Sequence, residues 1–438
     1  MITSSPKARA IVLGASAALV LTACGAGSRS PGADAPTVEC DVPQPDSATT
    51  IEVLAYNSSA IDPFTNTMVN SCTQDNITLR HAPIDFGGQV QRTTATLAGD
   101  SGTYDIIETY SFVIPQFAAE GSIMSLSDFV DEHSEQYGLD ELSQPMLDAM
   151  SYEGELYGLP MQAQMHVMAF RSDVFEDLGL EAPTTFEELR TVAQAIQDEG
   201  DIEYPLAMPL LASADLATAY DMALGSLGVD LTDPEEMTAN FDSPEAAQAF
   251  EELISLKPYM DPQVTTFDQP AVQQQMYNGS AAIAVMFSGR VNDLTMEDNT
   301  DLASDFAFAA PPAVLDGGAA FASLSVDGWS IPENAAFDAD SLFQMIASSV
   351  TEEASQEAVP AAYPAREGMV TEDTSPYAVA ANETMANVPP SEAYPWTAEV
   401  TNAVTPIVAE VFLEDKEIDQ GLQEMQAAAD DIMATYED

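Results

Sequence analysis

Residues 154–196, "GELYGLPMQAQMHVMAFRSDVFEDLGLEAPTTFEELRTVAQAI", join a strand signal to a helix signal. The run "MHVMAF" at 165–170 is short and apolar between two polar residues, which is typical of a buried strand. Thr185 and Glu188 then form a capping box at the start of a helix. The helix carries one apolar stripe, made of Phe186, Leu189, Val192, Ala193 and Ile196.

Similar signals alternate along the chain. Further strand-like runs are "TTIEVLAY" (49–56), "YDIIETY" (104–110), "AAIAVMF" (281–287), "DFAFAA" (305–310) and "WSIP" (329–332). Ser243 is a predicted N-cap with Pro244 at the first helical position, and apolar residues recur at helical spacing over 418–436. This alternation predicts an α/β fold. Residues 49–438 exceed what one core usually contains, so we expect two lobes.

The first residues have the pattern of a secretory leader. Lys7 and Arg9 precede an apolar run at 10–23, which is too short to span a membrane. The sequence Leu21-Thr22-Ala23-Cys24 resembles a bacterial lipobox, in which Cys24 becomes the first mature residue and carries lipid such as palmitate. We therefore predict a lipoprotein signal peptide at 1–23 and a flexible, Gly-, Ser- and Pro-rich tether at 24–48. An ordinary signal peptide with an incidental cysteine is the alternative.

The charge excludes one class of partner. The chain has 72 acidic and 11 basic side chains, and its net charge is −61 at pH 7. Lys7 and Arg9 would leave with the leader, so nine basic side chains would remain. Nucleic acid is excluded because binding it requires Lys and Arg against the phosphates. The acidity favours solubility at some cost in self-repulsion, and whether it reflects a high-salt habitat stays open.

Two cysteines remain once Cys24 is assigned to lipidation. An even pair in an oxidising compartment predicts a disulfide between Cys40 and Cys72. Two free buried thiols are the alternative.

The 154–196 stretch resembles the central segment of family 1 extracellular solute-binding proteins, the carbohydrate-type receptors of ABC importers that include maltose-binding protein. The resemblance rests on "YGLP", a strand, "DVF", "GL", a proline and "TFEEL", in that order. Four further segments resemble family motifs: "YDIIETYSFVIPQFAAEGSIMSLSDFV", "YNGSAAIAVMFSG", "DGWSIPENAAFDADSLFQMIASSVTEEASQEAV" and "AAYPAREG". Together they cover the chain from about residue 50 to its end.

The resemblance implies a periplasmic-binding-protein-like fold, in which two lobes, each a sheet flanked by helices, are joined by a multi-segment hinge. The expected division is 49–162 and 288–326 in lobe 1, with 163–287 and 327–438 in lobe 2. The expected hinge crossings lie near 161–165, 286–290 and 325–329. The ligand would lie between the lobes and be enclosed when the hinge closes.

The predicted function is a non-enzymatic, monomeric, lipid-anchored receptor on the extracytoplasmic face of the cell membrane. It would capture a neutral sugar, short oligosaccharide or sugar alcohol and deliver it to the permease of an ABC importer, without a cofactor. The alternatives are a cell-surface glycoside hydrolase or other carbohydrate-active lipoprotein, and an adhesin. His81, His133 and His166 lack paired metal-ligand spacing, so no metal site is predicted. The acidic run at 292–305 lacks EF-hand order, although a structural calcium stays open.

A sugar receptor needs aromatic faces for C–H surfaces and paired polar groups for hydroxyls. The aromatic candidates are Tyr56 and Tyr110 at strand ends, Trp329 and Trp396. The polar candidates are Asn57, Gln162, Gln164, Arg290 and Arg366, with His166 sharing one strand face with the two glutamines. Ordinary core packing, or ion pairing for the arginines, is the alternative for each. "SGRVND" replaces a tryptophan-containing segment of maltose-binding protein, which argues against long oligosaccharides.

Overall fold

The computed structural model describes residues 35–99, 101–389 and 393–436. The predicted signal peptide and the lipidation site Cys24 lie outside these residues. The strands are β1 Thr49–Leu54, β2 Ile77–His81, β3 Ile106–Tyr110, β4 Ser151–Tyr152, β5 Glu155–Leu156, β6 Leu159–Arg171, β7 Leu206–Ala207, β8 Thr232–Asp233, β9 Thr238–Ala239, β10 Ile283–Phe287, β11 Phe306–Ala309, β12 Leu324–Ser330 and β13 Tyr363–Pro364. Each strand-like run in the sequence overlaps one of these strands.

Sixteen α-helices lie in the described ranges, and none of them combines the length and apolar character needed to cross a bilayer. They are α1 Asp62–Cys72, α2 Phe86–Leu97, α3 Ile114–Ala119, α4 Ser127–Tyr137, α5 Gln144–Ala149, α6 Ser172–Leu178, α7 Phe186–Glu199, α8 Asp215–Ser226, α9 Pro244–Leu256, α10 Gln269–Tyr277, α11 Ser288–Asp293, α12 Ala339–Ser348, α13 Glu352–Ala358, α14 Ala378–Asn387, α15 Thr397–Phe412 and α16 Ile418–Met433.

Local sequence signals explain where two of these helices begin. Thr185 caps α7 by accepting a hydrogen bond from the N–H of Glu188 at 3.2 Å. The Glu188 carboxylate accepts the reciprocal bond from the N–H of Thr184, one residue earlier than a standard capping box. Ser243 caps α9 in the same way, and Pro244 is its first residue. Both predicted helix starts are confirmed, and each cap stabilises its helix by about 1 kcal/mol.

One long strand is shared by the two halves of the main sheet. The order in this sheet is β2-β1-β3-β12-β6-β10-β7, and β11 and β13 also pair with β6. The first half of β6, up to Met165, pairs with β12, whereas its second half, from His166 onward, pairs with β10 and β11. The backbone therefore passes from one half-sheet to the other in extended conformation within β6.

The protein has two lobes, each built on one half-sheet. Lobe 1 contains β1, β2, β3, β12 and the first half of β6, with α1 packed against β2, α12 and α13. Lobe 2 contains β7, β10, β11 and the second half of β6, with α8, α9, α15 and α16 packed on one another. Buried apolar residues form two clusters: Phe64, Trp329 and Phe343 belong to the first, and Phe186, Phe250 and Phe412 to the second.

The strand pairing differs from the predicted division in its second half. β11, expected in lobe 1, pairs with the second half of β6 in lobe 2, and Phe321 lies in the second cluster. The part of β12 from Asp327 onward, α12 and α13 were expected in lobe 2. They pack in lobe 1, because β12 pairs with β3 and α1 contacts both helices. The sequence reveals that a segment is a strand, but pairing across 200 residues decides which half-sheet it joins.

Part of the predicted tether is packed on lobe 1. Cys40 and Cys72 form a disulfide with a Cα–Cα distance of 5.3 Å, which confirms that prediction. Cys40 and Val42 are buried, and the N–H of Val38 donates to Ser71 at 3.0 Å. The chain from Val38 onward therefore follows α1 in an ordered path, because the disulfide fixes it there, and the predicted flexible tether is shorter than 24–48.

Candidate functional site

Four aromatic rings lie side by side at the carboxyl ends of two lobe 1 strands, and we call them the aromatic array. Tyr56 follows β1 and Tyr110 ends β3, and Phe86 lies between them with ring centroids 5.8 Å and 5.4 Å away. Phe112 stacks on Tyr110 at 5.5 Å. Because β1 and β3 are parallel neighbours, their ends meet at one edge of the sheet. Phe86 and Phe112 are 49% and 41% exposed, so the array presents bare ring surface.

A polar network joins this array to β6. Asp327 Oδ2 accepts hydrogen bonds from the Nε2 atoms of Gln162 and Gln164 at 2.6 Å and 3.1 Å. Nε2 of Gln164 also donates to the Tyr56 hydroxyl at 2.9 Å. Gln162 and Asp327 are buried, whereas Gln164 and Tyr56 are partly exposed. Both glutamines reach the same carboxylate, so they share one face of β6, as their alternation predicts. We call Tyr56, Gln162, Gln164 and Asp327 the hinge network.

Two buried carboxyl groups make this region acidic. Glu108 on β3 accepts a hydrogen bond from the N–H of Tyr56 through Oε2 at 2.8 Å, while its Oε1 is buried without a hydrogen-bond partner among the described residues. Burial raises the pKa of Glu108 well above its usual range, and the nearby Asp327 raises it further. Burial also raises the pKa of Asp327 to about 6. Neither group takes part in an ion pair among the described residues.

Asn57 connects the end of β1 to α1. Its Nδ2 donates to both carboxylate oxygens of Asp62 at 2.6 Å, and its backbone N–H donates to the carbonyl of Ile84 at 2.9 Å. Burial raises the pKa of Asp62. Asn57 therefore fixes the turn that carries Tyr56, and its side chain is engaged within lobe 1.

A pocket in lobe 2 adjoins the hinge network. Its cavity volume is about 50 Å³, and His166, Asp215, Gln269 and Phe287 contribute to its lining. His166 follows Gln164 by two residues on the same face of β6, and its ring lies 4.3 Å from that of Phe287. Burial raises the pKa of Asp215 to about 6, with Asp268 adding to the shift. The pocket thus contributes polar groups from lobe 2 beside the polar groups of the hinge network.

Both tryptophans lie in the cores of their lobes. Trp329 on β12 is fully buried, and its Nε1–H donates to the Ser349 hydroxyl at 2.9 Å. Trp396 is 7% exposed at the start of α15, where it stacks on Tyr394 at 5.1 Å and donates to Thr232 at 3.3 Å. The structure therefore brings neither indole into the aromatic array.

The two arginine candidates have different surroundings. Arg366 is 3% exposed and donates to the carbonyls of Gly138, Tyr137 and Val350 and to Glu141, so it fastens loops of lobe 1. Arg290 on α11 is partly exposed. Burial raises the pKa of Asp293 nearby, and the hydrogen bond from Gln273 and the charge of Arg290 offset this rise only in part. The preceding residue, Gly289, lies close to the Gln164 side chain, so Arg290 is near the hinge network without being part of it.

One group of His and acidic side chains that could bind a metal ion lies elsewhere in lobe 1. Glu132, His133 and Asp340 bring ligand atoms within 4.8 Å of one another, the only such group of three or more in the described ranges. Nε2 of His133 lies 2.6 Å from Oδ1 of Asp340, which is a hydrogen-bond distance. The pair thus links α4 to α12.

The structure adds site residues that the sequence analysis missed. Phe86 and Phe112 supply the exposed faces of the aromatic array, and Glu108 and Asp327 supply its buried acceptors. The sequence could have indicated Phe112, because it lies two residues after Tyr110, just beyond the end of a predicted strand. Phe86 had a weaker one, as the residue after the helix cap Asp85. Asp327 had none, because only the long-range pairing of β12 with β6 brings it to Gln162.

Exposed rings beside polar donors and acceptors are what a polyhydroxylated molecule requires. Aromatic faces cover C–H surfaces, while amide, carboxylate and hydroxyl groups bind the hydroxyls. The aromatic array and the hinge network place both kinds of group at the junction of the two half-sheets, where small-molecule sites commonly form.

Comparison with known proteins agrees with this architecture. Residues 74–338 match the family described as bacterial extracellular solute-binding protein. The maltotriose-binding protein of Pyrococcus abyssi is 29% identical over 192 residues, which are 42% of this chain and 39% of that protein. The mannitol-binding protein of Pseudomonas aeruginosa is 25% identical over 239 residues, 53% of each chain. The chain thus spans about two fifths to half the length of these relatives.

A solved structure supports the fold along most of the chain. Maltose-bound MalE3 of T. maritima superposes with a TM-score of 0.76 at 16% identity, covering 87% of this chain and 98% of that one. These relatives are named as binding proteins or were solved with a bound sugar. Because the family match spans more than half of the residues, the chain belongs to the bacterial extracellular solute-binding proteins.

Proposed function

We propose that this protein is a lipid-anchored receptor of an ABC importer that captures a neutral sugar, short oligosaccharide or sugar alcohol between its lobes. The observation that carries the proposal is the aromatic array, whose exposed rings Phe86 and Phe112 adjoin the hydrogen-bonding groups of Tyr56 and Gln164. Apolar rings combined with uncharged donors and buried acceptors suit hydroxyl-rich, uncharged ligands.

The comparisons support this class of ligand. The relatives include a maltotriose-binding and a mannitol-binding protein, which are named for a short oligosaccharide and a sugar alcohol. The buried acceptors Glu108 and Asp327 favour a ligand that donates hydrogen bonds, as hydroxyls do. An anionic ligand would add negative charge where burial already disfavours it, as the raised pKa values of Glu108 and Asp327 indicate.

Lobe closure would complete the site. β6 is common to both half-sheets, so small changes in its backbone near Met165 would swing lobe 2 toward the aromatic array. We assign β1–β3, β12, α12 and α13 to one moving body and β7, β10, β11, α15 and α16 to the other. A ligand bound to both would shift the equilibrium toward the closed form.

The proposed anchoring to the membrane and delivery to a permease rest on the lipoprotein signal at the start of the sequence. A lipid on Cys24 would keep the receptor at the membrane and raise its effective concentration at a permease without new contacts. Because the disulfide holds the segment from Val38 to Cys40 on α1, residues 24 to about 37 would connect the lipid to lobe 1.

A thermal-shift screen at pH 7.5 tests the proposal. The probes are D-mannitol, D-ribitol, D-glucose, maltose and maltotriose, and product analysis accompanies each incubation. At 100 times its Kd a ligand adds about 2.7 kcal/mol to the free energy of unfolding, so we expect a clear rise in Tm with at least one probe and no reaction product. A screen without any shift, or the appearance of hydrolysis products, would overturn the proposed function.

A further inference from the structure

The lobe 2 pocket contains a buried histidine with only one ring nitrogen engaged. Nδ1 of His166 lies 3.3 Å from both the backbone nitrogen and the hydroxyl of Ser323. Nε2 has no hydrogen-bond partner among the described residues, although the side chain is 3% exposed and lines the pocket. Phe287 lies against the ring at 4.3 Å and restricts its orientation.

The partner at Nδ1 determines where the proton of this imidazole resides. A backbone N–H can only donate, so Nδ1 must accept with its lone pair. Burial lowers the pKa of His166 to about 4, so the ring is neutral at physiological pH. A neutral imidazole with a lone pair on Nδ1 carries its proton on Nε2. Nε2–H is therefore a donor at the pocket lining with no acceptor among the described residues.

Two other polar side chains in the pocket, Gln269 and Asp215, also have hydrogen-bonding groups that could bind a ligand. Oε1 of Gln269 accepts the N–H of Phe287 at 3.2 Å, which leaves the amide N–H groups of Gln269 without a partner among the described residues. The Asp215 carboxylate begins α8 and pairs with no cation there. The pocket thus contributes two donors, at His166 and Gln269, and one acceptor, at Asp215.

We propose that this pocket is a subsite for a hydroxyl-bearing end of the ligand, and that Nε2–H of His166 is the donor that selects it. The inference rests on the proposed function and names the part of the ligand that lobe 2 recognises. A hydroxyl accepts from His166 or Gln269 and donates to Asp215, so it satisfies both kinds of group. A carboxylate in its place cannot donate to Asp215 and is repelled by it, so the subsite discriminates against sugar acids.

The tautomer is testable without any ligand. Long-range ¹H–¹⁵N correlation spectra of the histidine-labelled full chain distinguish a protonated Nε2 from a protonated Nδ1, and a His166→Asn variant assigns the signal. We expect the Nε2–H form at pH 7.5. An Nδ1–H form, or a charged ring, would overturn the inference while leaving the proposed function intact.

Two isosteric variants separate the recognition role from a structural one. The amide of Asn overlays Nδ1, so His166→Asn keeps an acceptor for Ser323 but removes the donor at Nε2. The amide of Gln overlays Nε2, so His166→Gln keeps the donor and loses the acceptor. For each probe of the screen that binds the wild-type protein, we expect Kd to weaken about tenfold in His166→Asn and to change less than threefold in His166→Gln. Equal losses in both, or none in His166→Asn, would contradict the inference.

Matched probes test the discrimination at pH 7.5, where Asp215 is ionised. The pairs are D-glucose with D-glucuronate and D-mannitol with D-mannonate, which differ by one carboxylate in place of a hydroxymethyl group. We expect the neutral member of each pair to raise Tm more than the carboxylate does. In Asp215→Asn we expect the two Tm shifts to lie closer together. A carboxylate that binds as well as its neutral partner overturns the inference alone, whereas a screen in which no probe binds overturns the proposed function.

Discussion

Nε2 of Gln164 donates a hydrogen bond to the hydroxyl of Tyr56 over 2.9 Å, and this contact joins the aromatic array of lobe 1 to the strand that both lobes share. The same Nε2 atom lies 3.1 Å from Asp327 on β12. The amide group of Gln164 on β6 thus contacts both Asp327 on β12 and Tyr56, which follows β1. A ligand that contacts Tyr56 would therefore lie beside Gln164 on β6, the strand about which we propose that the lobes move.

Tyr56→Phe removes the hydroxyl from this contact. We expect Kd for the bound sugar or polyol to weaken about fivefold and the free energy of unfolding to fall by about 1 kcal/mol, because a partly buried hydrogen bond is lost while the ring remains. Titration calorimetry and thermal unfolding measure the two effects. The matched control is Tyr259→Phe, whose hydroxyl bonds Gln194 on the surface of lobe 2 and should affect neither quantity. Unchanged affinity in Tyr56→Phe would remove Tyr56 from the site.

The placement of the tryptophans gives a contrast between stability and affinity. Trp329→Phe leaves a void in the first cluster and removes the hydrogen bond to the Ser349 hydroxyl, which still donates to the carbonyl of Ile346. We therefore expect about 2 kcal/mol of destabilisation with Kd within twofold of the wild type. Phe112→Ala removes a ring that is 41% exposed, so we expect the opposite result: weaker binding with little change in unfolding. A Trp329→Phe variant that loses affinity at unchanged stability would restore Trp329 as a ligand contact.

Local signals predicted the elements of the fold well, because a strand or a capped helix depends on a few neighbouring residues. The caps at Thr185 and Ser243 are of this kind, whereas the disulfide was predicted from the number of cysteines. The assignment of β12 to lobe 1 was not accessible, because its pairing with β3 joins residues more than 200 positions apart.

The site shows the same limit. Gln162, Gln164 and His166 were predictable as one face of a strand, since that follows from alternation. Their partner Asp327 comes from a distant strand, and the core positions of Trp329 and Arg366 follow from packing that residue type alone does not encode. Aromatic and cationic residues suit a cleft chemically, but they also suit a core or a buried loop anchor.

Removing the disulfide should destabilise lobe 1 without changing the site. The bond closes a loop with a sequence separation of 32, for which chain entropy gives about 3.5 kcal/mol. We expect Cys40→Ser/Cys72→Ser to lower the free energy of unfolding by an amount of this order. Denaturant unfolding with and without reductant measures it in the wild-type protein. Equal midpoints under both conditions would mean that the disulfide contributes nothing to the stability of lobe 1.

The buried carboxyl of Asp327 should make stability depend on pH. Burial raises its pKa from 3.8 to about 6, so the folded state binds this proton more tightly than the unfolded state. The resulting stability is fully present below pH 3.8 and is lost as pH rises through about 6, to a total of roughly 3 kcal/mol. Unfolding free energies of the wild type and Asp327→Asn, measured at intervals between pH 4 and 8, test this. We expect the wild-type curve to fall more steeply with pH, and parallel curves would contradict the assignment.

The central claim is that two lobes close around an uncharged, hydroxyl-rich solute, and small-angle X-ray scattering tests it most directly. The full-length protein would be measured without ligand and with a saturating amount of the probe that gives the largest rise in Tm. The account predicts a smaller radius of gyration with the probe, and a weaker response in Tyr56→Phe at the same probe concentration. An identical scattering profile with and without a bound probe would contradict it.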